Sequence, residues 1–229
     1  MAAIDSERRS PEAGKEMHAT RLLQRRRLSE TAFEISLTKP DGYAFTPGQH
    51  LILAAGNLER AYSILSGPAD PNLHLIIREV PEGGMSRFLA RENIGAPLAL
   101  SKAAGHFTFR PSPRPPVFIA TGTGIAPYVA MARAGISRFL LLHGVRKAQE
   151  CYYAEELIAA AATYIPCLSE DATGREPAFS GRVTSYIATR LAAGAYDFYL
   201  CGSSAMIRDA TLLIDKRFPG SRIYSERFH

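Results

Sequence analysis

The sequence predicts two domains: a small antiparallel β domain, then a doubly wound parallel α/β domain. Three features predict this. Short apolar runs between turn signals fill the first half, apolar strands alternate with helical stretches in the second, and the proline-rich break Arg110-Pro-Ser-Pro-Arg-Pro-Pro116 separates them. Four prolines within six residues continue neither a helix nor a central strand. The expected division is a flexible N-terminal segment over 1–16, a β domain over 17–111 and an α/β domain over 112–229.

In chain order, Met1 to Met17 mixes acidic residues with Arg and Lys and lacks the apolar stretch of a signal peptide, so it reads as a polar lead-in. Phe33, Ile35 and Leu37 alternate with Glu34 and Ser36, and Leu73, Leu75 and Ile77 share a strand face opposite His74 and Arg78. Pro40-Asp41-Gly42, Pro47-Gly48 and Asp70-Pro71-Asn72 are turn signals between such runs, which together imply a barrel or sandwich. After the prolines, strands are expected at Val117–Ala120, Phe139–His143, Tyr164–Leu168, Phe198–Cys201 and Ile223–Arg227. Between them lie helices from Ala126, over Ala154–Ala162, over Val183–Leu191 and over Ala205–Phe218. That β-α alternation is the pattern of a parallel sheet covered on both faces.

Composition removes several function classes. Hydrophobic residues make up 46% and charged residues 21% of 229, as in a globular chain rather than a disordered one. The net charge of +5 is spread along the chain, not gathered into a nucleic-acid-binding arm. Cys151, Cys167 and Cys201 are too few and too widely spaced for a disulfide framework, a zinc ribbon or an iron–sulfur cluster. The six histidines show no metal-ligand spacing and read as scattered core or surface residues, so no metal is expected. No apolar run reaches the roughly 18 residues of a membrane helix.

Three segments carry chemistry. Ala120-Thr-Gly-Thr-Gly-Ile-Ala-Pro127 follows the first α/β strand, where Gly122 and Gly124 permit a tight turn and free amides suit a pyrophosphate. Pro127 stands where a G-x-G-x-x-G fingerprint would have Gly or Ala, and suits a first helical turn. In Glu59–Leu65, read as a strand, Arg60, Tyr62 and Ile64 share a face that holds a flat charged ligand or a surface cation–π pair. In Gly83–Leu89, two glycines precede Ser86, which would cap a helix and leave an amide-rich anion site or an ordinary loop.

Together these segments resemble the ferredoxin–NADP reductase family of flavoproteins over about His18 to His229. The resemblance also draws on Phe45-Thr-Pro-Gly-Gln49, Gly105-His-Phe107, His143-Gly-Val-Arg146, Cys201-Gly202 with Met206, and Glu226-Arg-Phe228. It implies a flavin-binding antiparallel β-barrel followed by a nicotinamide-nucleotide domain. Arg60, Ala61, Tyr62 and Ser63 would line the flavin site, Arg60 on the pyrophosphate, Tyr62 stacked on the ring and Ser63 near its reactive nitrogen. Amides of Gly84, Met85 and Ser86 would join the pyrophosphate site, which favours FAD over FMN. Thr123 and Gly124 would hold the nicotinamide nucleotide, with Cys201, Gly202 and Met206 beside it. Ser63, Cys201 and Glu226 would form the catalytic set, and Phe228 would cover the second flavin face.

The implied reaction moves hydride between nicotinamide and flavin and single electrons onward, so the protein's share is positioning. Arg146 and Arg182 favour NADP(H) through a 2′-phosphate, whereas Ser169-Glu170-Asp171 would repel one and favour NAD(H). Arg25-Arg26-Arg27, with Arg21, could steer an acidic ferredoxin or flavodoxin. A monomeric cytoplasmic FAD reductase using NADP(H), with no nucleic-acid or membrane partner, is the first reading. An NADH-dependent oxygenase reductase component, a free-flavin reductase, or an electron-transfer subunit of a larger complex are the alternatives.

Overall fold

A computed structural model describes residues 16–170 and 178–228, the side chain of Phe228 excepted. The N-terminal segment expected to be flexible lies outside the described residues apart from Glu16, as do Asp171 and His229.

The first domain is an antiparallel sheet of β1 (Met17–Arg27), β2 (Ala32–Thr38), β3 (His50–Ala55), β4 (Leu58–Ser63), β5 (Asn72–Arg78) and β6 (Pro97–Ser101). Its order is β4-β3-β6-β1-β2-β5, curled into a nearly closed barrel. Just past β4, the Leu65 amide donates to the His74 carbonyl at 2.9 Å and ties the two edges together. β1 serves two partners, β6 through its first half and β2 through its second, and its register shifts between Leu22 and Gln24 where the partner changes. The barrel interior is the apolar set around Leu22, Phe33, Ile35, Leu51, Leu75 and Leu100, closed by α1 (Gly84–Arg91) through Met85 and Leu89. β4 ends at Ser63, so Ile64 lies beyond it and is fully buried in the same cluster.

The second domain is an all-parallel sheet of β7 (Pro116–Thr121), β8 (Leu140–Val145), β9 (Thr163–Leu168), β10 (Phe179–Ser180), β11 (Asp197–Ser203) and β12 (Arg222–Phe228), in the order β10-β9-β8-β7-β11-β12. Its helices are α2 (Ala126–Arg133), α3 (Ala154–Ala160), α4 (Val183–Thr189) and α5 (Ser204–Arg217). Alternate residues of the central strands face opposite layers. Phe118, Ala120, Tyr199 and Cys201 join Tyr128 and Leu157, while Val117, Ile119, Phe198 and Leu200 join Ile187, Ile207 and Ile214. The strands run one to three residues longer than predicted because the parallel ladders continue to the turns. α3 stops short of Ala162, whose amide already donates to the Phe139 carbonyl at 2.9 Å. The two-residue β10 had no periodic signal to announce it.

The alternating pattern of β2 and β5 conceals a second buried face. Inward residues fill the barrel, but Ala32 and Ile76 from the other face pack into the α/β core, as does Phe107 of the connection. Glu34 sits on this junction. The Tyr153 hydroxyl donates to its Oε2 at 2.7 Å, His74 Nδ1 lies 2.7 Å from its Oε1, and Arg26 pairs with it. Burial alone would raise the carboxyl, but bonds from His74, Tyr153 and Arg26 outweigh that and hold it at about 2. Tyr153 takes a left-handed backbone (φ 58°) directly before α3, and Arg133, bonded to Glu156 at 2.8 Å, lies over its ring.

Because the folded carboxyl titrates near 2 rather than its ordinary 4.5, its stabilisation is present above pH 4.5 and is lost as pH falls toward 2. Glu34→Gln is expected to lower Tm at pH 7 by roughly 5 °C and to flatten the loss below pH 4.5, measured by thermal melts across pH.

Candidate functional site

The parallel sheet reverses strand order between β7 and β11, the crevice where doubly wound sheets take ligands. Here the chain after β7 forms a 3-10 turn, Gly122–Ile125, that runs into α2. The turn is pressed onto the end of β11. A Cβ on Gly124 would lie 2.4 Å from the Cys201 carbonyl oxygen, and one on Gly202 would lie 2.1 Å from Thr121 Oγ1. Gly122 and Gly202 also hold φ of 53° and 143°, outside the comfortable range of other residues. Thr121 Oγ1 accepts the Ser203 amide at 3.1 Å, locking strand end to strand end. The first amides of the turn, Thr123 and Gly124 among them, have no carbonyl within their own helix, so a ligand's pyrophosphate fits this donor set.

His143 supports the turn from below. It is fully buried, with Nε2 3.1 Å from the Gly122 carbonyl and Nδ1 3.0 Å from the Tyr164 hydroxyl. A carbonyl only accepts, so Nε2 carries the hydrogen and Nδ1 accepts from Tyr164. Burial pushes His143 down to about 4, and it is neutral at pH 7.

On the barrel side, α1 packs against β4, and the first-turn amides after Gly83 carry no side-chain cap. Ser86, expected as the cap, sits inside the helix and its hydroxyl accepts the Val80 amide at 3.2 Å, because the Gly83-Gly84 pair starts the helix earlier. Arg60 and Ala61 are exposed on β4, whereas Tyr62 packs against the barrel core and burial raises its hydroxyl to about 12 against the nearby charge of Arg60. An arginine, an aromatic face and uncapped amides on one surface suit the diphosphate and flat ring of FAD. Met85 is buried in the barrel and offers only its backbone.

The domains meet at Glu226 on β12. Its Oε2 lies 3.4 Å from Ser63 Oγ and its Oε1 lies 2.7 Å from His50 Nδ1. Cys201, on β11, is the register partner of Glu226 on β12 and of Ala120 on β7, and is fully buried. Burial, then the Glu226 charge, lifts its thiol well above the usual range, so it is a small neutral wall rather than a nucleophile. The three residues expected as a catalytic set are therefore brought together from two domains. Met206, expected beside the nicotinamide nucleotide, turns its side chain from the first turn of α5 into the apolar core, and Ser203 Oγ accepts its amide at 3.3 Å. Thr121 and Gly105 lie inside the motif segments but carried no role of their own in the sequence, and His50 carried none either. Only the position of His50, directly after Phe45–Gln49, pointed to it.

Arg146 and Glu170, which argue for opposite nucleotides, face each other, Nε to Oε1 3.6 Å apart and both exposed. Arg182 is exposed directly before α4, and its neighbour Gly181 donates to the Leu168 carbonyl at the end of β9, two residues before Glu170. The basic run of β1 is engaged within the barrel. Arg21 donates to the Gly95 carbonyl at 2.9 Å, and Arg25 donates to the Leu89 and Glu92 carbonyls at 2.9 and 2.8 Å, closing the end of α1. Arg26 pairs with Glu34 and Arg27 with Glu79.

A barrel with an uncapped, amide-rich helix start, joined through one carboxylate to a doubly wound sheet with a second such turn, is the two-domain architecture of flavin- and nicotinamide-linked oxidoreductases. Residues 20–109 match the oxidoreductase FAD-binding domain and residues 118–211 the oxidoreductase NAD-binding domain, and the chain belongs to the ferredoxin reductase family. It is 32% identical over 219 residues to the toluate 1,2-dioxygenase electron transfer component of Pseudomonas putida, covering 89% of this chain and 65% of that protein. It is 38% identical over 154 residues to ferredoxin–NADP reductase B of Sorangium cellulosum, covering 62% of this chain and 63% of that one. The chain thus spans just under two thirds of the length of these curated relatives. Its fold is that of a ferredoxin NADP+ reductase from Neisseria gonorrhoeae solved with FAD and NADP, with a TM-score of 0.80 at 20% identity over 92% of this chain and 98% of that one.

The depressed folded value of His143, about 4 against an ordinary 6.5, means that the unfolded chain binds the extra proton first as pH falls. Stability is expected to fall by roughly 3 kcal/mol between pH 6.5 and 4, and denaturant melts should show this limb vanish in His143→Gln.

Proposed function

We propose that this chain is an FAD-dependent NAD(P)H reductase that hands single electrons to a ferredoxin-type carrier or a flavodoxin. The observation that carries this reading is the meeting of Ser63, Cys201 and Glu226 where the barrel surface and the sheet's switch point join. Bound there, nicotinamide and flavin supply hydride transfer and the splitting of an electron pair into single electrons. The chain's own residues bind, orient and exclude water. Arg60 and the amides of Gly84–Ser86 hold the FAD diphosphate, and Tyr62 backs the flavin ring. Amides of Thr123 and Gly124 hold the nicotinamide nucleotide, beside the Cys201-Gly202 backbone that the two glycines let the turn approach. Ser63 and Glu226 place a hydroxyl and a carboxylate at the reacting edge. Phe228, whose side chain lies outside the described residues, is retained as the flavin cover on resemblance alone.

NADP(H) is the assigned nucleotide, with Arg146 and Arg182 on the 2′-phosphate. An exposed pair such as Arg146–Glu170 is worth about 1 kcal/mol or less, and a phosphate displaces it readily. The same pair supports a second reading, an NADH-linked reductase component of an oxygenase, if Glu170 is the residue that faces the ribose. We place the protein in the cytoplasm as a monomer. Its three cysteines are free, and no helix among the described residues is long and apolar enough to cross a membrane.

Anaerobic titration of the FAD-loaded protein is expected to bleach the flavin fully with one equivalent of NADPH. Failure to bind FAD, or no bleaching by NADPH or NADH, overturns the reading, and preferential bleaching by NADH moves it to the oxygenase component. Glu170→Gln is expected to lower KM for NADPH about fivefold and leave that for NADH unchanged, checked by steady-state reduction of a dye acceptor.

A further inference from the structure

Resting on the reading of Ser63 and Glu226 as the hydride-transfer edge, we propose that His50 is a positioning residue of that edge, fixing the Glu226 carboxylate from across the domain junction. His50 and Ser63 are register partners on β3 and β4. Directly opposed residues of an antiparallel pair present side chains on one face about 5 Å apart, so a single carboxylate reaches both. Glu226 does so, Oε1 at 2.7 Å from His50 Nδ1 and Oε2 at 3.4 Å from Ser63 Oγ. An ionised carboxylate only accepts, so Nδ1 carries the hydrogen, and a bond to a charged acceptor at this distance is a strong one.

Glu226 needs such a hold. It lies on β12, an edge strand paired only to β11, and its three side-chain torsions are not set by the ladder. His50 is well placed to supply it. Its amide and carbonyl both pair with Ala104, at 2.9 and 2.8 Å, and its ring lies against Gly105, where a Cβ would be only 2.9 Å from Nδ1. Gly105 itself holds φ 102°, so the barrel keeps this position free of a side chain. The Glu226 side chain is 14% exposed and that of His50 31%, so the pair lies largely out of solvent. One oxygen is thereby committed to the barrel's histidine and the other is aimed at Ser63, which makes the geometry of the reacting edge depend on domain docking.

The test uses FAD-loaded protein with His50→Phe and His50→Asn, in wild-type and Glu226→Gln backgrounds. Asparagine keeps an amide donor close to the place of Nδ1. Stopped-flow flavin reduction at saturating NADPH is expected to slow about tenfold in His50→Phe and to recover to within threefold of wild type in His50→Asn. The Kd for NADP+, read from the flavin difference spectrum, should stay within about twofold in both. In the Glu226→Gln background, His50→Phe should cost less than about twofold, because its effect runs through the carboxylate. Melting temperatures of wild type, the two single variants and the double variant give a readout free of catalysis and should be non-additive. Full rate in His50→Phe, or an equal loss with and without the Glu226 carboxylate, overturns the proposal. FAD-loaded wild-type protein that no nicotinamide nucleotide reduces overturns the function above, while the melting cycle still decides whether His50 holds Glu226.

Discussion

The close approach of two backbone segments at the centre of the parallel sheet governs the rest of the molecule. The turn after β7 reaches the end of β11 with so little space that a single methyl group on Gly124 or Gly202 would overlap the opposite chain. This contact stops β11 beside an amide-rich turn, and it aligns Cys201 between Ala120 and Glu226 in the ladder. The amide-rich turn, the small wall beside it and the carboxylate on the outer strand are thus placed by one steric condition. His143 extends that condition downward, since its neutral ring holds the turn's first carbonyl and is held in turn by Tyr164.

The second requirement is that the barrel dock in one orientation. The outer faces of β2 and β5 are apolar enough to join the α/β core, and Glu34 adds direction by accepting bonds from both domains. A buried carboxylate with three donors is costly to dislodge, because any sliding of the domains leaves donors unmatched. The Glu226 contacts with Ser63 and His50 complete a second polar link at the opposite strand pair. Apolar burial supplies affinity between the domains, and the two carboxylates supply register.

Positive charge shows how position decides meaning. Four arginines on or near one stretch of β1 read as a basic surface in the sequence, yet two cap carbonyls around α1 and two pair with glutamates. Each braces the barrel, and the two that bond only backbone carbonyls keep their full charge. Arg146 is likewise met by Glu170, and the balance between those two exposed side chains, not the presence of either, is what a nucleotide's 2′ position would sense.

The sequence by itself determined the two-domain order, the change from period-two strands to β-α alternation, the glycine turns and the order of site motifs. These are local properties: proline and glycine restrict backbone torsions, and apolar periodicity fixes which face of an element is buried. The family resemblance assigned Arg60, Ser63, Gly124, Cys201 and Glu226 to a site without showing which of them touch. Only the tertiary structure decided that Glu226 spans Ser63 and His50, that Ser86 is not a cap, that Met206 is core and that Glu34 and Ile76 lie on a domain junction. The Glu226 contacts join residues 163 and 176 apart in the chain, and Glu34 and Ile76 lie on a face covered by another domain, so no local pattern encodes them; Ser86 and Met206 turn on where a helix starts and which of its faces is covered.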